Sequence, residues 1–305
     1  MNRPKLIIIT GPTASGKSAL AVDVAKRLGT EIISADSRQI YKGIPIVTAV
    51  PTEEERGGVR HHLLETLPLE AYYSAAEFES DALRIALPLM ERNGYAVVCG
   101  GSMMYIDALC NGIDELPTVP QDLREWLTAE WGRRGDGWLL TELERLDPVH
   151  YAKVDRMNLK RVFHAVEVSL AAGQPYSSLL TGNRVSRPFD ILKIALGGER
   201  LHLFDRINRR VVMMMEGGLE EEARSVYPLR HLNSLNTVGL KEMFAWFEGI
   251  MTKEEAVARI QKNTRVYAKK QLTWHKRDDQ LVWLDFDNPD NASAIESLAS
   301  GKGSR

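Results

Sequence analysis

Apolar runs alternate with helical patterns over the first third of the chain. Lys5–Thr10 is an apolar run that predicts a buried strand, and Lys17–Leu28 has the spacing of a helix. Glu31–Ser34 and Tyr95–Cys99 predict two more strands, with a helical pattern over Ala75–Asn93 between them. Strands that alternate with helices predict a parallel sheet that carries helices on both faces.

The pattern changes in the middle of the chain. Residues 122–172 show helical spacing and no strand signal, and Asn158 can cap a helix that ends at Gly173. Phe189–Leu196 then returns to a strand pattern. We therefore expect an all-helical insertion within the sheet domain.

Helices again dominate residues 202–274, and Leu281–Leu284 follows as a possible edge strand. We predict that the tail from Asn288 onward is frayed. The predicted organisation has three parts. They are a first core segment (residues 1–115), a helical insertion (116–185) and a second core segment with basic helices (186–305).

A glycine-rich turn joins the first predicted strand to the first predicted helix. It matches the phosphate-loop pattern GxxxxGK[ST] as Gly11-Pro12-Thr13-Ala14-Ser15-Gly16-Lys17-Ser18. Gly11 and Gly16 permit a tight backbone path that aims N–H groups at a phosphate chain. Lys17 neutralises phosphate charge, and the Ser18 hydroxyl can bind Mg²⁺. The sequence thus predicts a P-loop NTPase-like α/β fold with a phosphate site; a chance match in an ordinary strand–helix turn is the alternative.

A carboxylate follows the second predicted strand. Phosphate-loop proteins that hydrolyse nucleotides usually carry an acid at the end of a later strand, whereas Tyr95–Cys99 runs into Gly100-Gly101-Ser102. The nearest strand-end carboxylate is Asp36, which would face the ligand crevice at the carboxyl edge of a parallel sheet. We favour a functional role for Asp36 over the alternative, in which it only caps a turn or helix.

Composition adds few constraints. The 305 residues are 44% hydrophobic and 26% charged, and the net charge of −2 gives no overall indication of a polyanionic partner. Cys99 and Cys110 indicate buried reduced thiols, since neither belongs to a CxxC pair. The N-terminal apolar run is too short for a signal peptide, and no stretch reaches the length of a membrane span. We therefore expect a cytoplasmic protein with no membrane partner.

One stretch near the C-terminal end is strongly basic. From Arg259 to Arg277 there are seven Lys or Arg residues and no acid. Lys262, Arg265 and Lys269 share one helix face, which favours contact with nucleic-acid phosphates over the alternative of a merely solvated face. A second group of cations could extend this surface or pair with nearby acids: Arg206, Arg209 and Arg210 beside Asp205 and Glu216.

Several motifs, in order and with compatible spacing, resemble the tRNA dimethylallyltransferase family over about residues 5–285. The most specific are Ile33–Gly43, which contains Asp36-Ser37-Arg38-Gln39, and Thr264–Trp274. The other matching segments are the phosphate loop, His61-His62-Leu63, Tyr73–Phe78, Gly100-Gly101-Ser102, Ala165–Val168 and Arg206–Val211. The zinc-finger extension of many eukaryotic members is not seen, so we expect the bacterial type.

The resemblance implies a reaction. The phosphate loop would hold dimethylallyl diphosphate with Mg²⁺ as cofactor, and N6 of the adenine 3′ to the anticodon would attack the allylic carbon as pyrophosphate leaves. By resemblance, Asp36 accepts the amine proton. Lys17, Ser18 with Mg²⁺, Ser102 and Arg265 would act near the reacting centre. The expected partners are the donor and the anticodon stem-loop of tRNA, and the expected state is a monomer.

The resemblance also implies a tRNA-binding surface that includes Ser102 and three segments. These segments are Asp36, Ser37, Arg38 and Gln39; Lys160, Arg161, Val162, Phe163 and His164; and Asn236, Thr237, Val238, Gly239, Leu240 and Lys241. Some positions depart from the family pattern. Leu240 stands where an aromatic residue is usual, and Lys160 and His164 replace Gln and Arg. The departures leave the catalytic residues intact and concern the fine recognition of tRNA.

Three other functions fit parts of the sequence. A small-molecule P-loop kinase would need an arginine-rich lid, which the sequence does not clearly show. An adenylate isopentenyltransferase shares the fold and donor, but the helical insertion and the basic C-terminal half favour a macromolecular acceptor. A nucleotide-switched RNA-binding protein would not need a carboxylate at Asp36.

Overall fold

A computed structural model describes residues 3–114, 116–182 and 185–301 of the chain. These residues form two compact units, one within Met1–Asn111 and Ser186–Arg305 and the other within Gly112–Val185. Within the described ranges, none of the helices combines the length and hydropathy that a bilayer-spanning segment requires.

The first unit is built on a six-stranded sheet. Its strands are β1 (Lys5–Thr10), β2 (Ile32–Ser34), β3 (His61–His62), β4 (Tyr95–Cys99), β5 (Asp190–Gly197) and β6 (Val282–Asp285). They lie in the order β3-β2-β4-β1-β5-β6, and every neighbouring pair is parallel. The predicted parallel α/β fold is therefore confirmed, and the predicted edge strand is β6. The two-residue β3 was not predicted.

Helices connect and cover these strands. In the N-terminal part they are α1 (Lys17–Leu28), α2 (Pro45–Thr48), α3 (Glu53–Arg56), α4 (Ala75–Asn93) and α5 (Met103–Asn111). In the C-terminal part, after the helices of the second unit, they are α11 (Arg200–Glu216), α12 (Leu219–Val226), α13 (Leu240–Phe247), α14 (Lys253–His275) and α15 (Asn291–Ser300). The short helices α2 and α3 were not predicted from the sequence.

The sheet is buried on both faces, as the continuous apolar sequence of β1 requires. Leu6 and Ile8 point into one hydrophobic cluster, and Ile7 and Ile9 point into another on the opposite face. All four side chains are fully buried. Helices α4 and α5 contribute to the first cluster, and α1 and α15 contribute to the second.

The prediction of a frayed tail after Asn288 was wrong. Helix α15 places Ala292, Ile295 and Ala299 in the same cluster as the buried face of α1. The tail is further fixed by Lys5, whose Nζ donates to the Ala299 carbonyl at 2.8 Å. Burial of this apolar face offsets the entropy of ordering the segment. The last residues, 302–305, lie outside the described residues.

The second unit is all-helical within its described residues. Its helices are α6 (Gln121–Arg134), α7 (Asp136–Leu146), α8 (Pro148–Tyr151), α9 (Leu159–Ala172) and α10 (Tyr176–Leu179). As predicted, Asn158 caps α9, which ends at Gly173 in a left-handed conformation. Leu127, Leu139 and Val166 lie in the hydrophobic core of the second unit.

Candidate active site

The phosphate loop connects β1 to α1 at the carboxyl edge of the sheet. Gly16 is the N-cap of α1 and has a φ of 82°, a left-handed conformation that favours glycine. The Ser15 hydroxyl is buried and finds no hydrogen-bond partner among the described residues. A buried hydroxyl without a partner fits an anion-binding loop, because a bound phosphate oxygen would accept its hydrogen bond.

The phosphate loop opens into a cavity of about 400 Å³ that is lined by Lys17, Ser18, Asp36 and Arg210. Lys17 Nζ donates to the Pro12 carbonyl at 3.1 Å. Burial lowers the pKa of Lys17, and the nearby Arg210 guanidinium acts in the same direction. Burial also lowers the pKa of Arg210. The half-buried cations Lys17 and Arg210, with Arg38 and Lys241 also in the lining, outnumber the Asp36 carboxylate and leave the cavity positively charged, which suits a diphosphate.

Arg210 lines this cavity, whereas Arg265 does not. Arg265 Nη1 donates to Asn208 Oδ1 at 2.5 Å, and its guanidinium lies 5.9 Å from the centre of the Phe204 ring. The suggested pairing of Arg206 with neighbouring acids on α11 is also not seen, since Arg206 pairs with Asp287. Arg210 reaches the cavity because it lies on the same face of α11 as Ile207 and Val211, which also line it.

Asp36 both caps a turn and lines the cavity. Its Oδ1 accepts hydrogen bonds from the backbone N–H of Arg38 at 2.9 Å and of Gln39 at 3.3 Å. Within the described residues, no hydrogen-bond donor reaches Oδ2. The two readings of Asp36 offered by the sequence are therefore compatible, because one oxygen holds the turn while the other is available to a ligand amine.

Ser102 supports the segment that carries Asp36. Its Oγ accepts a hydrogen bond from the Ser37 N–H at 2.8 Å, and its own N–H donates to the Ala35 carbonyl at 3.1 Å. The Ser102 side chain is not part of the cavity lining. Its contacts in this structure thus fix the backbone after β2.

Two of the segments expected to bind tRNA lie side by side. Arg38 Nη1 donates to the carbonyls of Asn233 at 2.8 Å and Ser234 at 3.1 Å. Both segments line the cavity: Asp36, Ser37, Arg38 and Gln39, with Asn236, Thr237, Val238, Gly239 and Lys241. Leu240 does not join them, because its side chain is fully buried in the core. Its assignment as a tRNA-binding side chain is therefore corrected.

Helix α2 forms a wall of the cavity that sequence reasoning missed. Glu222 accepts hydrogen bonds from the N–H groups of Ile46 at 2.7 Å and Val47 at 2.8 Å. At the other end of α2, Gln39 Nε2 donates to the carbonyls of Thr48 at 3.1 Å and Ala49 at 2.9 Å. The Gln39 amide group is thus used to stabilise the C-terminal end of α2.

The segment from Lys160 to His164 lies on α9 in the second unit. Lys160 and Arg161 are exposed, whereas Val162 is fully buried in that unit's core. The Val162 side chain is therefore not available to RNA, which corrects its assignment. Phe163 packs against Trp131. His164 Nδ1 lies 2.9 Å from Glu167 Oε1.

Helix α14 presents its basic residues away from its buried side. Gln271 and His275 are buried, whereas Lys262 and Lys269 are exposed and form no ion pair within the described part of the chain. Two unpaired cations on one face are available for phosphate contact. Tyr267 lines the cavity and remains 41% exposed.

A phosphate loop, the half-buried cations Lys17 and Arg210 and a carboxylate share one cavity at the carboxyl edge of a parallel sheet. This combination defines an enzyme-like phosphate site of the P-loop class.

Comparisons with known proteins name the family. The model of the IPP transferase family matches residues 39–278. The chain is 50% identical over 290 residues to a tRNA dimethylallyltransferase 2 of Parabacteroides distasonis, covering 95% of this chain and 96% of that protein. The chain therefore belongs to the IPP transferase family.

Solved structures agree with this assignment. A tRNA isopentenylpyrophosphate transferase of Bacillus halodurans superposes with a TM-score of 0.72 at 35% identity, covering 98% of this chain and 97% of that one. A eukaryotic dimethylallyltransferase acting on tRNA gives a TM-score of 0.82 at 25% identity, covering 98% of this chain and 79% of that one.

Proposed function

We propose that this chain transfers a dimethylallyl group from dimethylallyl diphosphate to N6 of the adenine 3′-adjacent to the anticodon of tRNA. The observation that carries the proposal is that Asp36 and the cations Lys17 and Arg210 line one cavity in a member of the IPP transferase family. The cations suit the diphosphate, and the carboxylate suits an amine that must lose a proton.

The chemistry of the acceptor explains the carboxylate. The lone pair of the exocyclic amine is delocalised into the adenine ring, so the amine is a poor nucleophile. Asp36 Oδ2 would accept its proton as the N6–C bond forms. The allylic C–O bond breaks at the same time, and its electron pair leaves with pyrophosphate. Lys17 and Arg210 would stabilise the negative charge that develops on this leaving group.

Mg²⁺ fits the oxygen ligands of this cavity. Among the described residues, no group of three or more His, Cys, Asp or Glu side chains could hold a metal. Mg²⁺ commonly uses few protein ligands, with substrate phosphates and water completing its coordination. The Ser18 hydroxyl, which lines the same cavity as Asp36, would hold it. When bound, the ion would neutralise part of the diphosphate charge.

The acceptor adenine has to leave its stack to enter the cavity, at a cost of a few kcal/mol. Two groups of residues would supply this energy through contacts with the anticodon stem-loop. They are the adjacent segments 36–39 and 236–241, and the exposed cations of α14. We assign the protein as a monomer that acts on tRNA in the cytoplasm.

Isotope transfer tests the proposal. Dimethylallyl diphosphate labelled in the allyl group is incubated with Mg²⁺ and either bulk tRNA or AMP. Label in tRNA alone is the expected result, and it should be lost in Lys17→Ala if that variant retains the parent's Tm. Label in AMP alone would indicate an adenylate isopentenyltransferase. Label in neither, with ATP turnover, would indicate a kinase.

A further inference from the structure

Polar and apolar side chains both line the cavity. The polar residues include Lys17, Ser18, Asp36 and Arg210. The apolar residues include Val47, Val211, Met214 and Ile260, which we call the floor. All four floor residues belong to one hydrophobic cluster or pack against it. The floor is therefore continuous with the core beneath it.

One face of α11 carries both polar and apolar lining residues. Arg210, Val211 and Met214 all line the cavity from this helix. Residues four apart on a helix have Cβ atoms about 5–6 Å apart, so Met214 lies one turn beyond the cation at Arg210. An allyl chain esterified to a diphosphate at Arg210 would extend directly over this floor.

Two other lining residues suit the acceptor. Asp36 supplies a carboxylate, and Tyr267 supplies an aromatic ring on which a base could stack. These two residues offer polar atoms and an aromatic ring, whereas the floor offers methyl and methylene groups and a thioether. The difference assigns the adenine to Asp36 and Tyr267 and the hydrocarbon chain to the floor.

We propose that Met214 and Val47 close the floor and limit the donor to a five-carbon allyl chain. This inference rests on the proposed function and names the residues that select its donor. Val211 and Ile260 are each 2% exposed and are held by the core. Met214 and Val47 are half-buried, so their side chains define how far a chain can extend.

A longer allylic donor would react by the same chemistry. With geranyl diphosphate the allylic C–O bond breaks, pyrophosphate takes the electron pair, the N6–C bond forms and the N6 proton passes to Asp36. Only the space for the extra isoprene unit differs. Shortening Met214 should provide that space, because Ala removes the side chain beyond Cβ.

Adjacent methionines on α11 allow a matched test. Met213 is 68% exposed and outside the cavity lining, whereas Met214 lines it. The kcat/KM values for dimethylallyl and geranyl diphosphate are measured with one tRNA for the parent, Met214→Ala, Met214→Leu and Met213→Ala. We expect the preference for dimethylallyl diphosphate to fall at least about tenfold in Met214→Ala. Met214→Leu and Met213→Ala should keep the parent preference.

The outcomes separate this inference from the proposed function. An unchanged preference in folded Met214→Ala would overturn the inference, as would a parent that uses both donors equally well. A parent that transfers neither group to tRNA would overturn the proposed function instead. If Met214→Ala does not show a cooperative melting transition, Val47→Ala opens the floor at helix α2 instead. An unchanged preference in Val47→Ala would then overturn the inference.

Discussion

Gln271 Oε1 accepts a hydrogen bond from the Thr13 N–H at 3.0 Å, while its Nε2 donates to the Gly101 carbonyl at 3.0 Å. One buried amide of α14 thus joins the phosphate loop to the turn after β4. The approach is close, since a Cβ at position 101 would lie 2.4 Å from Gln271 Nε2. The helix that carries the basic face therefore also supports the loop that is proposed to bind the donor.

Gln271→Glu should raise the KM for dimethylallyl diphosphate and leave the Kd for tRNA near the parent value. The carboxylate keeps an acceptor for the Thr13 N–H but has no donor for the Gly101 carbonyl. A buried group left without its partner costs roughly 1–3 kcal/mol. Steady-state kinetics and tRNA titration measure the two constants. Gln261→Glu, on the same helix, is the control; equal donor KM values in the two variants would contradict a positioning role for Gln271.

Asp36→Asn should slow the single-turnover rate by roughly 10²–10⁴ while the Tm stays near that of the parent. Asn keeps an oxygen for the N–H groups of Arg38 and Gln39, so the turn remains capped. It loses the charge that would accept the N6 proton. The rate and the Tm are measured on one preparation. A stable variant with the full rate would remove the base from the mechanism.

Arg210→Gln should lower the transfer rate by roughly 10²–10³, because the diphosphate loses a donor that stabilises its developing charge. The matched change Arg265→Gln should spare the chemical step, since Arg265 is bound to Asn208 outside the cavity. Rapid-quench measurement of a single turnover compares them. A slow Arg265→Gln beside a normal Arg210→Gln would restore Arg265 as the cation at the diphosphate.

Neutralising Lys262, Arg265 and Lys269 together should weaken tRNA binding and reduce its salt dependence. Each lost phosphate contact lowers the log–log salt slope by roughly 0.7–0.9. Titrations at several salt concentrations give the slope, and Arg84→Gln with Arg92→Gln in α4 provides a charge-loss control. If affinity and slope both match the control, the face is only solvated.

His275 should make the fold less stable in acid. Burial, with Lys17 nearby, lowers the pKa of His275 from 6.5 to about 4. Thr10 Oγ1 donates to the Gly100 carbonyl at 2.9 Å, so it accepts from His275 Nε2–H, and the folded ring is neutral. The unfolded state binds more protons between these pKa values. This contribution is therefore present above pH 6.5 and falls by about 3 kcal/mol as pH drops to 4.

Denaturant unfolding of the parent and of His275→Gln between pH 4 and 7 measures this contribution. Gln cannot titrate, so the variant should lose part of the pH dependence. Parallel stability curves for the two proteins would show that His275 is not responsible.

The sequence predicted the parts of the site that are contiguous along the chain. The phosphate loop and Asp36 follow strands whose apolar runs are unambiguous, and parallel pairing brings their carboxyl ends to one edge. Arg210 could not be ranked above Arg206 or Arg209 from the sequence alone. Helical spacing places Arg210 on one face of α11 together with Ile207, Val211 and Met214. The sequence could not show that this face lines a cavity, because the cavity also depends on α2 and α14.

The errors have a common physical source. Helix α2 is only four residues long, and Glu222, 175 residues after Val47, stabilises it together with the nearby Gln39. Helix α15 has a short apolar pattern that is stabilised by packing on α1. Long-range burial and long-range hydrogen bonds decide both elements, and neither is visible in a local window.

The docking of α15 on α1 has a consequence for the order of folding during synthesis. The helix that follows the phosphate loop keeps an apolar face that Ala292, Ile295 and Ala299 cover. β1 likewise pairs with β5, which is made only after the second unit. The first substrate-binding element to emerge from the ribosome is therefore among the last to gain its neighbours. Until residues 291–300 are made, α1 exposes a surface that invites chaperone binding or aggregation.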